Sequence, residues 1–460
     1  MNRIFVALIA IAFVFTGYRQ VTWSPPAPAA IEAPAPAPVP DDPILARLQT
    51  IEAELTVARA APIPPVRTPM DELTAGMLTA AKTSVDLAIS LIGAMALFLG
   101  LMKVAEKGGL LVVIAKLLRP LMVRLFPEVP PDHPAMGAMI LNFSANALGL
   151  ANAATPFGIR AMKELDSLNP NPGTATNAMV LFLALNTSGL ALLPTGVMAI
   201  RGTLGSEDPG GIIGTTLFAT LCSSTVAVFA ALIYQRFVAD NTGTVPTQPK
   251  RENDLEDSGA YPLWVSATAL CSLFVFAPLA IIGGPVISPW VIPVLAVSLV
   301  GYGAANGVKV YEAFVEGAKE GFEVAVMIIP YLVAILVAVG MLRSSGALGA
   351  FVGLVGPVTG AAGMPAEALP MALLRPLSGS GAYGIMMDIL SREGPDSYVG
   401  YLVSTLQGST ETTFYVIAVY FGAVNVQRIR HALAAALTAD AAGIVGAVIG
   451  TKLYFWATGM

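Results

Sequence analysis

The sequence predicts an all-α polytopic membrane protein: two inverted repeats, each with a re-entrant hairpin and a broken helix, and about nine spans in total. Three observations carry this expectation. Of 460 residues, 55% are hydrophobic and 12% are charged, about half the charge of an ordinary soluble domain. Several runs reach the roughly 20 apolar residues that cross a bilayer as a helix. Twice, about 230 residues apart, an apolar stretch breaks into a knot of polar residues and glycines and then resumes. Paired interruptions at corresponding positions point to a solute site between discontinuous helices.

Residues 4–23 read as a first span, with Arg3 before it and Tyr18, Arg19 and Trp23 near an interface. The alternative is a cleaved signal peptide, because the small residues at 27–30 resemble a cleavage site. Residues 24–68 are rich in Pro and Ala and read as a semi-extended linker, in which 44–60 has the pattern of a short amphipathic helix. Lys116, Arg119 and Arg124 punctuate 110–126, the pattern of a helix lying on the membrane surface. Further spans fall at about 84–104, 177–201, 211–236, 262–284, 288–304, 324–342, 398–422 and 433–455. Residues 138–162 and 368–390 are apolar but too interrupted for simple spans, and read as re-entrant hairpins. Irregular backbone persists at membrane depth only where protein or a water-filled cavity surrounds it. The resulting domains are an anchor at 1–23, the linker at 24–68, a first repeat at 69–240, a loop with connecting spans at 241–304, and a second repeat at 305–460.

Basic residues orient this path. With the N-terminus cytoplasmic, one side collects Lys103, Lys107, Lys116, Arg119, Arg124, Arg160, Lys163, Arg236, Lys250, Arg251, Lys309, Lys319, Arg428 and Arg430. The opposite side keeps Arg201, Arg343, Arg392 and Lys452. The span at 84–104 then runs inward and its partner at 324–342 outward. The repeats align without a gap at Lys82 and Lys319, Gly109 and Gly346, and Pro120 and Pro357. After a small length change, Pro156-Phe157-Gly158-Ile159 sits opposite Ala382-Tyr383-Gly384-Ile385.

The net charge of −5 comes with no concentrated basic patch, so nucleic acid is not an expected partner. Cys222 and Cys271 both lie in apolar runs and read as small buried hydrophobes. His133 and His431 are too few and too separated for a histidine-rich metal site. No HExxH pair, Cys-x-x-Cys spacing or phosphate-cradling loop occurs. A Ser or Thr beside Glu lacks a histidine or lysine base for nucleophilic chemistry, so the chain is read as a non-enzyme.

The run Asn142 to Leu165, with its core from Ala145 to Pro156, and Asn186-Thr187-Ser188 resemble spore maturation protein A. Arg375-Pro376-Leu377-Ser378-Gly379-Ser380-Gly381, Gly394-Pro395-Asp396-Ser397, Gly408 to Val416 and Ala418 to Gly422 resemble spore maturation protein B. The chain is similar to a fused form of the two over roughly 70–240 and 305–455. Each half resembles the Gate, or nucleoside recognition, domain, also named in concentrative nucleoside transporters and in the membrane part of the bacterial ferrous iron transporter. No GTPase loop accompanies it here. The resemblance implies a transporter-like scaffold and a role in spore or cell-envelope maturation, without naming a solute.

Glu411 is the most informative single residue. A charge at mid-bilayer costs roughly 2.5–3.5 kcal/mol on insertion scales, so it needs a partner or water. Arg375, in the hairpin of the same half, is the expected partner. The pair lines a solute site, or Glu411 accepts a coupling proton, or the pair closes the hairpin structurally against the broken helix. Ser378, Gly379, Ser380 and Gly381 form a knot whose freed amides suit an anionic group, or whose small residues allow close helix packing. Asn146, Asn152, Thr155, Asn186, Thr187 and Ser188 offer amides and hydroxyls to a polar solute or a sodium ion, or cap the breaks. Gln407, Ser409, Thr410 and Thr412 complete the set. Asp440 is a second candidate acid for ion coupling, and His431 reads as an interfacial anchor.

These residues point to a bacterial inner-membrane, multi-pass secondary-transporter-like protein that moves a small polar solute. No cofactor is expected beyond a coupling proton or sodium ion. The lipid bilayer and the solute are the expected partners, and homo-oligomerisation stays open. The competing readings are a non-transporting membrane scaffold or regulator, and a channel-like conduit.

Overall fold

The computed structural model describes residues 2–22, 47, 68–149, 151–189, 191–238 and 260–459. The expected linker and its amphipathic helix lie almost wholly outside the described residues. In the first half, the helices are α1 (Asn2–Thr22), α2 (Pro69–Lys107), α3 (Leu110–Leu125), α4 (Pro134–Ala147), α5 (Ala151–Ser167), α6 (Asn177–Thr187), α7 (Thr195–Thr203) and α8 (Ile212–Tyr234). Two connecting helices follow, α9 (Leu263–Ile282) and α10 (Gly284–Ala305). The second half contains α11 (Val310–Ser344), α12 (Ala347–Ala361), α13 (Leu369–Leu374), α14 (Gly379–Glu393), α15 (Tyr398–Ser409), α16 (Thr413–Gly422) and α17 (Ala432–Thr458). No strand occurs among the described residues, only an isolated bridge between Thr174 and Arg428. The all-α expectation holds.

The same local devices recur at matching places. Gly109 ends α2 and Gly346 follows α11, with φ of 85° and 84°, a conformation that favours a residue without a Cβ. Pro120 and Pro357 both lie inside the next helix. Ahead of each broken segment stands a glycine with φ of 85°, Gly173 and Gly394. A hydroxyl cap follows in both cases. Thr176 accepts the Met179 amide at 3.2 Å, and Ser397 accepts the Gly400 amide at 3.0 Å, each satisfying a donor that helix geometry leaves without a partner.

The first hairpin turns at Leu148-Gly149, where Gly149 has φ of 74°, and the run from Asn152 to Pro156 lies inside α5. A glycine at positive φ ends a helix, whereas α5 carries its proline by forgoing one N–H bond. The expected count of about nine spans is not reproduced by length. Among the described residues five helices are long and apolar enough to cross a bilayer, namely α2, the segment from α8 to Phe237, α9, α11 and α17. The count becomes six if α12 and the segment 366–374, bent by 111° to each other, form one span. The remaining expected spans were the N-terminal segment, 288–304, and the broken segments 177–201 and 398–422. Each broken segment is split into two short helices.

The described residues cluster into two compact units. The larger spans 81–336 and 351–460. Within it α8 and α17 pack closely along small residues. A Cβ on Gly443 would meet Thr410 and Ser223, one on Gly446 would meet Ala219 and Cys222, and one on Gly450 would meet Phe218 and Thr215. The partner numbers fall as the glycine numbers rise, so the two helices are antiparallel. α2 and α11 also run antiparallel, with Ser84 bonded to the Leu332 carbonyl, Ala96 against Gly321 and Leu99 against Gly317. Lys103 reaches Glu320 at 3.0 Å and Lys107 reaches Glu316 at 2.5 Å at the same helix ends. Close approach through small residues is how helices gain dispersion contact in a membrane, where apolar surface alone gives no preference for protein over lipid. One continuous core joins both halves. Met136, Met139, Phe143 and Phe182 pack with Val416, Tyr420, Phe421 and Ala439.

The smaller unit holds 2–80 and 337–350. Ala12, Leu73 and Met341 form its core. Arg19 donates to the carbonyls of Ser344 and Ser345 at 3.3 and 3.0 Å. These are among the carbonyls that the C-terminus of α11 leaves without helical partners, and a cation suits that end of the helix dipole.

Candidate functional site

The two unwound segments meet in the larger unit. Between α6 and α7 the chain leaves helical geometry at Ser188-Gly189; between α15 and α16 it extends through Thr410, Glu411 and Thr412. The Glu411 amide donates to the Thr187 carbonyl at 2.8 Å. Gly189, at φ of 60°, lies so close that an added Cβ would stand 2.9 Å from the Thr410 backbone. Only glycine meets both the conformation and the contact. Thr220 on α8 donates to the carbonyls of Ser188 and Gly189, satisfying groups that the break would otherwise strand.

The second hairpin is tied to the second break. Arg375 ends α13 and is 5% exposed. It donates to Thr412 Oγ1 at 3.0 Å and to the Thr410 carbonyl, and it stands 3.6 Å from Glu411. The Phe414 amide donates to the Pro376 carbonyl at 3.0 Å. The expected Arg375–Glu411 pair is therefore present. It is lopsided, because the Glu411 side chain is 51% exposed. Its carboxylate is half exposed while the buried guanidinium holds the backbone of the break.

Ser378 accepts the Gly381 amide at 3.0 Å and caps α14. Gly379 lies against Thr412, where a Cβ would come within 2.8 Å of its hydroxyl. Ser380 is half-buried in the first turn of α14. Ser409 bonds back to Leu406, Thr187 to Ala184, and Ser188 to Leu185 and to Ser224. The hydroxyls of Ser378, Thr187, Ser188 and Ser409 thus serve the local backbone, whereas Thr412 holds Arg375. Gln407 is 3% exposed, faces Tyr383, and its Oε1 has no partner among the described residues.

A second polar cluster joins the halves beside this one. Asn146 Nδ2 donates to Asn186 Oδ1 at 3.0 Å, and the Tyr420 hydroxyl reaches the same oxygen at 3.5 Å. Asn142, fully buried, donates to Tyr420 at 3.3 Å and to the Ala154 carbonyl at 2.8 Å. Thr155 is half-buried on α5, with no hydrogen bond to this cluster among the described residues. The side chain of Asn152 lies outside what is described.

Sequence reasoning missed Asn142, Tyr383 and Tyr420. Asn142 is a lone amide in an apolar run, and Tyr420 pairs with the other half through contacts that no spacing within one half reveals. Tyr383 directly follows the glycine knot, which was a usable signal. Its hydroxyl approaches the position a Cβ on Gly196 would take, at 3.2 Å. Asn142 Oδ1, Arg375 Nε, Gln407 Oε1 and Asp440 Oδ1 are buried without partners among the described residues. Buried polar atoms rarely stay so without water or a solute. The arrangement presents amides, hydroxyls and a guanidinium together with one half-exposed carboxylate, a set able to hydrogen-bond a small polar molecule. No group of three His, Cys, Asp or Glu suited to a metal occurs among the described residues.

The Gate family, described as nucleoside recognition, matches residues 88–204 and 325–427. Spore maturation protein B of Bacillus subtilis is 48% identical over 164 residues, 36% of this chain and 92% of that protein. Spore maturation protein A of the same organism is 42% identical over 159 residues, 35% of this chain and 81% of that protein. A solved transporter, YdaH of Alcanivorax borkumensis, covers 99% of this chain at 14% identity and a TM-score of 0.32, too loose a superposition to carry any argument.

Proposed function

Because this chain belongs to the family of spore maturation proteins A and B with their Gate domains, we propose that it translocates a small polar solute across the bacterial inner membrane. The reading is a secondary-transporter-like protein with a midplane site between two inverted repeats. The observation that carries it is the 2.8 Å bond from the Glu411 amide to the Thr187 carbonyl, which joins the unwound segments of the two halves. Unwound backbone at membrane depth is tolerated where it lines a cavity, and discontinuous helices at a repeat interface are where transporters hold substrate. The antiparallel pairs α2 with α11 and α8 with α17, and the matched turns at Gly109 and Gly346, support inversion. A cytoplasmic N-terminus agrees with the distribution of Lys and Arg, and a coupling proton or sodium ion would drive transport. The first repeat at 69–240 and the second at 305–460 remain the working division, and self-association is left to measurement.

Purified protein in proteoliposomes, challenged with labelled nucleosides, other metabolites and ions, tests this. Saturable flux that falls at least tenfold in both Glu411→Gln and Arg375→Gln is expected, with Ser380→Ala smaller. Flux without saturation would favour a conduit. Absence of both binding and flux, with a reproducible protein partner, would favour a scaffold.

A further inference from the structure

A second acid stands behind the break. Asp440, midway along α17, is 3% exposed. Its Oδ2 accepts the Thr413 hydroxyl at 2.6 Å, and its Oδ1 has no partner among the described residues. Thr413 is the first residue of α16, two places beyond Glu411, so this bond ties the last helix to the break. One turn on, Gly443 packs against Thr410. Both contacts run through threonine side chains of the break.

We propose that Asp440 binds and releases the coupling proton of the translocation cycle, a role that rests on the transport reading above and assigns its driving ion. Glu411 is ill suited to that role, because its side chain is half exposed and already faces Arg375 at 3.6 Å. Asp440 has the opposite surroundings. Isolated from water, with one hydroxyl donor, its carboxyl is far more readily accommodated neutral than charged. The dipole at the start of α16 favours the anion, which keeps ionisation within reach. Elements packed against α17 add cysteines (Cys222 on α8, Cys271 on α9) and tyrosines (Tyr234 on α8, Tyr302 on α10, Tyr398 and Tyr401 on α15, Tyr415 and Tyr420 on α16). α6 carries no ionisable side chain. Arg375 reaches this site through the break, holding the Thr412 hydroxyl next to Thr413, the donor to Asp440.

A link between proton and solute follows. With Asp440 neutral, Arg375 serves Thr410, Thr412 and Glu411. With Asp440 ionised, the new charge is bonded to Thr413, the residue next to the Thr412 hydroxyl that Arg375 holds, so it acts on the same stretch of the break. The grip on the unwound backbone then loosens. Sodium fits the site poorly. Hard cations gather several oxygen ligands, whereas the nearby Ser223 hydroxyl is committed to the Ala439 carbonyl at 2.8 Å.

Infrared difference spectra of the full-length protein in lipid, taken across a pH series, test the site whether or not a solute is known. A protonated-carboxyl band should titrate in the wild type and in Glu411→Gln and be lost in Asp440→Asn. In Thr413→Val its midpoint should move to higher pH, because a donor to the anion is gone, while Thr413→Ser keeps the wild-type value. A band indifferent to Asp440→Asn, or a midpoint that follows sodium at constant ionic strength, overturns the assignment. In proteoliposomes, Asp440→Asn should lose accumulation driven by a pH gradient and retain solute exchange. Persistence of gradient-driven accumulation in Asp440→Asn refutes coupling and leaves transport standing. A wild type that moves no solute refutes transport and with it the coupling, while the spectra alone decide the proton site.

Discussion

At the residue scale, the site depends on single atoms whose loss has calculable consequences. Gly189 combines φ of 60° with backbone contact at Thr410, whereas Gly205, at φ of 82°, faces open space. An alanine at Gly205 meets only the left-handed penalty of about 1–2 kcal/mol; Gly189→Ala adds a backbone clash that cannot relax without separating the breaks. Thermal unfolding in lipid should rank Gly189→Ala well below Gly205→Ala, and equal effects would show that the breaks do not touch. Arg375→Gln should cost on the order of 1.5–3 kcal/mol for each charge-assisted bond it removes. His431, which precedes α17, is pushed from 6.5 down to about 4 by burial and by the Arg430 cation beside it. The folded protein therefore keeps this imidazole neutral, while the unfolded chain takes up a proton first. Stability from this source is complete above pH 6.5 and is lost as pH falls toward 4, and His431→Gln should flatten that part of the profile. Arg375 and Glu411 were legible as partners because a charge in an apolar run demands one. The Asn142, Asn186 and Tyr420 cluster was not, since it forms only when two distant segments meet.

At the element scale, glycines and proline-bearing turns were readable, whereas the ends of short helices were less so. The breaks at Ser188-Gly189 and 410–412 fall where the polar knots predicted them. The turn of the first hairpin had no such marker: Pro156 sits inside α5, and Gly149 ends the helix before it. Span counting was the weakest step. Composition alone does not tell one helix of 25 residues from two of 10 at an angle. The caps supply a test of equivalence between halves. Thr176→Ala and Ser397→Ala each remove one hydroxyl from the start of a broken segment, and each should cost about 1 kcal/mol. A large cost at one and none at the other would argue against a shared architecture.

At the scale of the molecule, the halves are clasped crosswise. The end of the first broken segment and the loop after it hold the loop before the second: Arg201 on α7, fully buried, reaches the Pro395 carbonyl at 2.6 Å and Asp396 at 2.8 Å, and Ser206 reaches Asp396 at 2.6 Å. The loop after the second broken segment returns the favour, with Gln427 and Arg428 amides on the Gly173 carbonyl and Arg430 on Asn177 at 2.8 Å. If the halves rock, Asp396→Asn loosens one clasp and Arg430→Gln the other. Thiol-reagent access at Ser404→Cys should rise with the first and fall with the second; parallel changes would mean the halves do not rock. None of this was visible in sequence, because each clasp joins residues about 190 to 250 positions apart. The crosswise grip also means that the peptide bond between the halves is mechanically redundant. Cleavage at a protease site inserted between Asn241 and Asp257 should leave two pieces that purify together in mild detergent. A gene could thus be cut in two at that point, or two neighbouring genes joined, without the membrane noticing.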